Sequence, residues 1–300
     1  MENKLNVLII GGSSFVAKSF ILYHKNLYNI RSVSRSKTKF ENEFIISDFR
    51  KIPEEMFRGM DVVLNCAAIV HQKKKVPESL YNQINHELAV ELGEKSKRNG
   101  IKTFIQLSTV AVYGDSEEIN PSTPENPVSF YGKSKLLADK KLLEIADDNF
   151  KVIIFRPPMI YGGVNPPGNM QRLIDFVKMG FPLPFKNSIN KRDFINIRNL
   201  IGFIEAAILS GKTNMYLVTD DFPVSTYELI NIISQKLNKK TFQFSLPVFF
   251  LNLLRKIKPG IFDKLYGSLR VDAVRAEKIL NHVPEHSLEQ GIEEMIQNEN

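Results

Sequence analysis

The first seventeen residues constrain the fold more than any other stretch. Leu5 to Ile10 is a mostly apolar run, and Gly11-Gly12-Ser13-Ser14-Phe15-Val16-Ala17 follows it directly, leading into a helix-compatible segment that ends near Tyr23. A buried strand that ends in a glycine turn and opens a helix aims backbone N–H groups and a helix N-terminus at a phosphate. The three-glycine dinucleotide fingerprint is degraded here, with Gly11 at its first position, Ser14 at its second and Ala17 at its third. Serine and alanine are small enough to keep the backbone approach and the close helix packing. An ordinary strand-to-helix turn would look similar, so other parts of the chain must decide.

Further strands are expected at about 29–33, 44–47, 61–65, 103–107 and 152–155, alternating with helices. That alternation predicts an α/β fold, a Rossmann-like doubly wound parallel sheet. The second strand ends in Ser34-Arg35-Ser36-Lys37, where an NAD-preferring site usually carries Asp or Glu. A small residue followed by Arg leaves room for a 2′-phosphate and supplies its countercharge. NADP(H) is therefore the preferred cofactor and NAD(H) the alternative, although a basic surface turn would read the same way. Asp48, at the end of the third strand, is placed to hydrogen-bond an adenine amine. Asn65-Cys66-Ala67-Ala68 closes the fourth strand with small side chains that let a cofactor lie against it. Cys66 reads as a packed small residue and not a nucleophile, since no base is patterned around it. Phe15, Val16, Phe49 and Asn85, the last on an amphipathic helix at 79–99, complete the expected cofactor contacts.

Tyr131 and Lys135 form the one Tyr-x-x-x-Lys pair. On a helix these side chains share a face, one turn apart. An ammonium there favours the phenolate, which would let the tyrosine exchange a proton with a sugar hydroxyl near neutral pH. The spacing alone is no better than chance in a chain this rich in lysine, and a solvated surface helix would produce it too.

After about residue 162 the pattern changes. A loop at 165–169 precedes a helix to Met179, followed by extended residues 181–185, a strand at 191–197, a helix at 200–209 and a strand at 214–219. The tail holds a helix near 225–237, the apolar Leu246–Leu254 segment and small helices. The expected division is an NAD(P)-binding domain over 1–162 with returns near 191–219, and a smaller C-terminal substrate-binding domain from 163–190 and 220–300. Packing against the body of the protein is the preferred reading of Leu246–Leu254, ahead of lying on a membrane surface.

Formal net charge is +7, which suits anionic partners such as nucleotides. No nucleic-acid motif accompanies it, and only Lys73-Lys74-Lys75 forms a tight basic run. A single cysteine fits a reducing compartment, and no leader is read ahead of the first strand, so a cytoplasmic location is expected. No apolar run reaches the roughly 20 residues of a membrane span, so no membrane insertion is expected. No metal site is expected.

Together, the Gly11 turn, Asn65-Cys66-Ala67-Ala68, Ser108-Thr109…Val112-Tyr113-Gly114, Tyr131/Lys135, Arg156-Pro157-Pro158…Tyr161-Gly162 and Arg192-Asp193-Phe194 resemble the extended short-chain dehydrogenases/reductases, the nucleotide-sugar epimerase and dehydratase family. Within it, the 158–173 stretch and Gly267-Ser268-Leu269-Arg270-Val271-Asp272 are similar to UDP-4-keto-6-deoxy-N-acetylhexosamine reductases of bacterial capsule and O-antigen clusters, and to UDP-N-acetylglucosamine 4-epimerases. The resemblance implies a UDP-sugar substrate. It makes Tyr131 the acid/base, with Lys135 lowering its pKa and holding the nicotinamide ribose. Thr109 would bond the substrate C4 oxygen, and Pro157 and Pro158 would border the nicotinamide. Asn169, Arg192 and Arg270 would hold the uridine diphosphate, since guanidinium matches phosphate in a bidentate way. A homodimer through a helix bundle at 79–99 and 129–147 is also implied.

One absence narrows the chemistry. The family's 4,6-dehydratases carry Asp-Glu after the threonine, and this chain has Val110-Ala111. What remains is hydride and proton transfer at C4. NADPH-dependent reduction of a 4-keto sugar is the preferred expectation because of Arg35, with NAD-dependent 4-epimerisation as the alternative. A non-catalytic cofactor-binding regulator is the reading from another class, and the retained Thr109, Tyr131 and Lys135 argue against it.

Overall fold

The computed structural model describes residues 4–70 and 76–298. The Lys73–Lys75 run lies outside the described residues.

Seven parallel strands form the central sheet in the order β10-β7-β5-β4-β1-β2-β3. They are β1 (Asn6–Ile10), β2 (Asn29–Ser34), β3 (Glu43–Ile45), β4 (Val62–Asn65), β5 (Thr103–Leu107), β7 (Lys151–Arg156) and β10 (Asn214–Leu217). Two small parallel pairs lie apart from it. One joins β6 (Glu118–Ile119) to β11 (Arg270–Val271), and the other joins β8 (Met159–Tyr161) to β9 (Phe194–Asn196).

The unbroken apolar run Val7–Ile10 has its physical reason in this sheet. A central parallel strand is covered on both faces, so all its side chains must be apolar. Val7 and Ile9 enter one core, with Phe20 of α1 (Phe15–His24) and Leu200, Phe203 and Ile204. Leu8 and Ile10 enter the other, with Leu88 and Leu92 of α3 (Leu88–Arg98) and Ala138 and Leu142 of α4 (Phe130–Glu144). Between β1 and β4 the winding reverses, and the carboxyl ends of those strands open a crevice there.

The expected 79–99 helix is interrupted. A short α2 (Glu78–Tyr81) passes into a π-helical turn, Asn82–Glu87, before α3. A π-turn swings one extra residue inward, and Asn85 is fully buried as a result. The expected 191–197 strand shrinks to β9, because Asn196 caps the next helix through Arg198 N–H (2.9 Å).

A third core gathers α5 (Asn169–Lys178), α7 (Thr226–Lys236) and α11 (Leu288–Gln297) against Tyr161 and Phe194. The helix α6 (Ile197–Ser210) lines the first core together with α10 (Val274–Leu280). Gly291 lets α11 sit close, since a Cβ there would run into Tyr161 and Asn196. The Leu246–Leu254 segment becomes α8 (Val248–Ile257), followed by α9 (Pro259–Tyr266), and none of the residues in either helix is buried. The expectation that this segment packs against the body is corrected: Phe249, Phe250, Leu253 and Ile257 face outward. Among the described residues, no helix is long and apolar enough to cross a membrane.

Candidate active site

Gly11 closes β1 with φ 86°, and a Cβ there would lie 2.7 Å from Ala67 N and 2.8 Å from the Cys66 carbonyl carbon. Only glycine allows this approach of the β1 turn to the β4 end. Gly11 N and Gly12 N both donate to Val33 O, at 2.9 and 3.0 Å, which ties β2 to the same corner. Gly12 was not singled out from sequence, yet a Cβ on it would collide with Ser32 Oγ. The Gly-Gly doublet was the available signal. Ser14 caps α1, its Oγ accepting from Ala17 N at 3.2 Å, while Phe15 and Val16 open the helix. Burial pushes the Cys66 thiol up to about 12, so it is inert as a nucleophile at neutral pH. The turn sets the N-terminus of α1 beside the carboxyl ends of β1 and β4, an arrangement that fits a dinucleotide's diphosphate.

At the end of β2 the structure supplies an acid from another strand. Glu43 of β3 accepts from Ser34 Oγ at 2.9 Å and places both carboxylate oxygens 2.9 Å from Thr38 N. Burial works against ionisation of Glu43, but the Thr38 and Ser34 donors outweigh it and its pKa is lowered. Ser36 O lies 2.7 Å from the same Ser34 Oγ, so the single hydroxyl proton is shared between two acceptors within the turn. Arg35 is exposed, with its guanidinium carbon 5.8 Å from the Phe49 ring centroid. Asp48 caps the following turn, its Oδ1 accepting from Arg50 N at 3.0 Å. Sequence reading looked for an acid at the end of β2 and missed Glu43, which strand pairing brings there.

Tyr131 and Lys135 do lie one turn apart on α4. Ser129 starts the helix by accepting from Gly132 N at 3.0 Å. Gly132 carries no side chain because Ala111 O packs against it. This contact seats the start of α4 on the Thr109–Tyr113 turn, and the Tyr131 and Thr109 hydroxyls share a hydrogen bond. Thr109 Oγ1 also accepts from Ala111 N at 3.2 Å, which leaves its own proton for the phenol oxygen. Tyr81 meets the Tyr131 ring edge-on, with centroids 6.5 Å apart. Lys135 is buried, and its Nζ donates to Leu107 O at 2.8 Å.

The electrostatics differ from the sequence expectation. Burial raises the Tyr131 phenol to about 12, and the Thr109 bond only partly offsets it. Burial also lowers Lys135 to about 8, against the opposing pull of Asp139. The expected lowering of the tyrosine by its lysine is thus corrected for this state. Desolvation dominates both groups, and Lys135 is directed at a backbone carbonyl.

Beneath the pair is a buried network that sequence reading did not assemble. Asp139 Oδ2 accepts from Ser108 Oγ (2.7 Å) and Arg156 Nε (2.9 Å). Arg156 also donates to Tyr113 OH (2.8 Å) and pairs with Glu125 (2.7 Å). Tyr131, Lys135 and Asp139 follow one another at spacings of four, and that was the signal. Val110 N bonds Pro157 O at 3.2 Å, so Pro157 and Pro158, both buried, flank the Thr109 turn.

Asn85 does not present its amide to the crevice. Its Oδ1 accepts from Ile69 N (2.7 Å), and its Nδ2 donates to Ile69 O (2.9 Å) and Ser134 Oγ (3.2 Å). It clamps the segment after Ala68 to the Tyr131 helix, a positioning task in place of the expected direct contact.

On the opposite side, Asn169 opens α5 and is exposed. Arg192 Nη1 donates to Asp263 O (2.8 Å) and Gly267 O (2.9 Å), and Arg192 bridges Leu269. Arg270, next to Leu269, has its Nε 3.4 Å from Asp193 Oδ2. One short segment, 267–271, therefore positions both arginines.

Residues 7–218 match the NAD dependent epimerase/dehydratase family. A UDP-glucose 4-epimerase from Vibrio cholerae is 31% identical, over 97% of this chain and 94% of that protein. An N-acetyl-alpha-D-glucosaminyl-diphospho-ditrans,octacis-undecaprenol 4-epimerase from Escherichia coli O157:H7 is 29% identical, over 91% of this chain and 85% of that protein. The crystal structure of UDP-glucuronic acid 4-epimerase from Bacillus cereus in complex with NAD superposes with a TM-score of 0.80 at 19% identity, covering 98% of each chain. With the Gly11 turn and the Thr109–Tyr131–Lys135 set in place at the sheet's carboxyl edge, the chain belongs to the NAD dependent epimerase/dehydratase family.

Proposed function

We propose that the protein inverts C4 of a diphosphate-linked hexose, a UDP-hexose first among them, using NAD(H). The observation that carries this is the Thr109–Tyr131 hydroxyl pair with apolar Val110 and Ala111 beside it. Such a site can move the O4 proton but has no acid for dehydration. Two of the relatives act as 4-epimerases by name, and this supports inversion over the net reduction that Arg35 suggested. Glu43, ionised at the end of β2, disfavours a 2′-phosphate there, and the Bacillus cereus structure contains NAD.

Bound nicotinamide would supply reversible hydride acceptance at C4. The chain's own work is with the proton. Tyr131 takes it from O4 and returns it to the 4-keto sugar, while Thr109 holds the phenol oxygen in line. Charged Lys135 favours the phenolate with which this cycle starts and ends; in between, while the sugar is a ketone, Tyr131 holds the proton as the neutral phenol. Arg192 and Arg270, with Asn169, hold the diphosphate, residues 163–190 and 220–300 making up the substrate side. A homodimer through the helices at 78–98 and 130–144 remains part of this proposal.

The deciding experiment incubates the protein with UDP-glucose, and separately with UDP-N-acetylglucosamine, without added reductant. Nuclear magnetic resonance should show C4 inversion, supported by NAD and not by NADP. Turnover confined to a 4-keto-6-deoxy sugar with stoichiometric NADPH oxidation would favour the reductase that Arg35 suggests instead.

The Lys135 shift adds a pH prediction. The ammonium is present below about 8 and is lost as pH rises through that value, so kcat/KM should fall on the alkaline side of about pH 8. Lys135→Arg keeps its charge across this range, so whatever activity it retains should show no such fall. A shared alkaline limb in both proteins would refute the assignment.

A further inference from the structure

The helices α8 and α9 carry an apolar face that no described residue buries. Phe249, Phe250, Leu253 and Ile257 are 70%, 54%, 41% and 63% exposed. Their spacing of i, i+1, i+4 and i+8 places them on one side of α8, and Ile261 and Leu265, one turn apart on α9, are exposed as well. The inner side is anchored. Leu251 and Leu254 are half-buried, Phe262 stacks on Tyr266 at 5.5 Å, and the Tyr266 hydroxyl donates to Pro184 O at 2.7 Å. A surface helix of a soluble body normally presents the reverse pattern, and an exposed apolar face of this size marks an interaction site.

Charge selects the occupant. Arg255, Lys256, Lys258 and Lys264 stand along the pair and Asp263 is its one acid, on a chain of net charge +7. A two-fold contact between copies would bring both sets of cations into one interface, where they repel. An anionic lipid surface neutralises them. We propose that α8–α9 docks the protein in the interfacial plane of an anionic bilayer, with Phe249, Phe250, Leu253, Ile257, Ile261 and Leu265 inserted. The helices are far too short to span it. α9 runs into Gly267, whose carbonyl with that of Asp263 holds Arg192, so docking sets the substrate-side arginines close to the lipid surface. The proposal does not depend on the sugar chemistry above.

The test is co-sedimentation of the full chain with vesicles of phosphatidylcholine alone and of phosphatidylcholine mixed with phosphatidylglycerol. Binding to the mixed vesicles at low salt, weakened by added salt, is expected. Phe249→Gln and Ile257→Gln, both at exposed positions, should each lower partitioning about tenfold or more. Lys256→Gln should lower it about fivefold. Absence of binding to the anionic vesicles, or binding unchanged in these variants, would overturn the proposal. So would light scattering that shows a wild-type dimer converted to monomer by Phe249→Gln.

Discussion

Tyr131→Phe is expected to lose C4 turnover by about 100- to 10,000-fold while the cofactor still binds. The substitution removes one oxygen and keeps the ring that meets Tyr81 edge-on. Thr109 remains capped onto Ala111 N, so the turn beneath the substrate is undisturbed. Only the hydroxyl proposed to carry the proton is gone. Initial rates of inversion and a fluorescence titration of NADH check the two halves separately. Turnover near the wild-type level would remove Tyr131 from the chemistry, whereas loss of NADH binding would make its role structural.

Asp139→Ala is expected to cost about 3 kcal/mol of stability, the lower end of what breaking a buried ion pair removes. Arg156 loses its Nε partner but keeps Glu125 and the Tyr113 hydroxyl, which limits the damage. The same change acts on the reaction. The Asp139 carboxylate raises the Lys135 pKa, so without it the lysine sheds its proton at lower pH. The alkaline fall in kcat/KM should move below about pH 8 in the fraction that folds. Urea unfolding measures the first effect and a pH–rate profile the second. A loss under about 1 kcal/mol would mean that the network is relaxed by water or by shifted neighbours.

The parts of this fold that were legible in the sequence are those set by local pattern. The Val7–Ile10 run, the Gly11 turn and the 103–107 strand follow from burial on two faces and from the need for positive φ. Tyr131 and Lys135 share a helix face because helical geometry requires it. What escaped depends on residues distant in sequence. Glu43 reaches the end of β2 only once β3 pairs with it. The Asp139–Arg156 pair needs α4 laid across the β5 and β7 ends. Asn85 was read as a cofactor contact, and its π-turn instead spends the amide on Ile69 and Ser134. The raised Tyr131 pKa could not be anticipated from spacing, because desolvation is a property of the assembled site. The α8 segment was misjudged because apolar composition says that a face will be covered without saying by what.

The seat that Gly291 provides for α11 also bears on how the protein is made. Tyr161 and Asn196, laid down much earlier, stay without that inner wall until residues 288–297 have been synthesised. The sheet can assemble while the chain is still growing, since its last strand ends at Leu217. The third core cannot. Met170, Ile174, Leu229 and Ile230 wait for Leu288, Ile292 and Met295, exposed to whatever holds nascent chains apart. A frameshift or stop codon late in the message would therefore yield an intact nucleotide-binding sheet bearing an open apolar half-core, a species suited to aggregation or disposal.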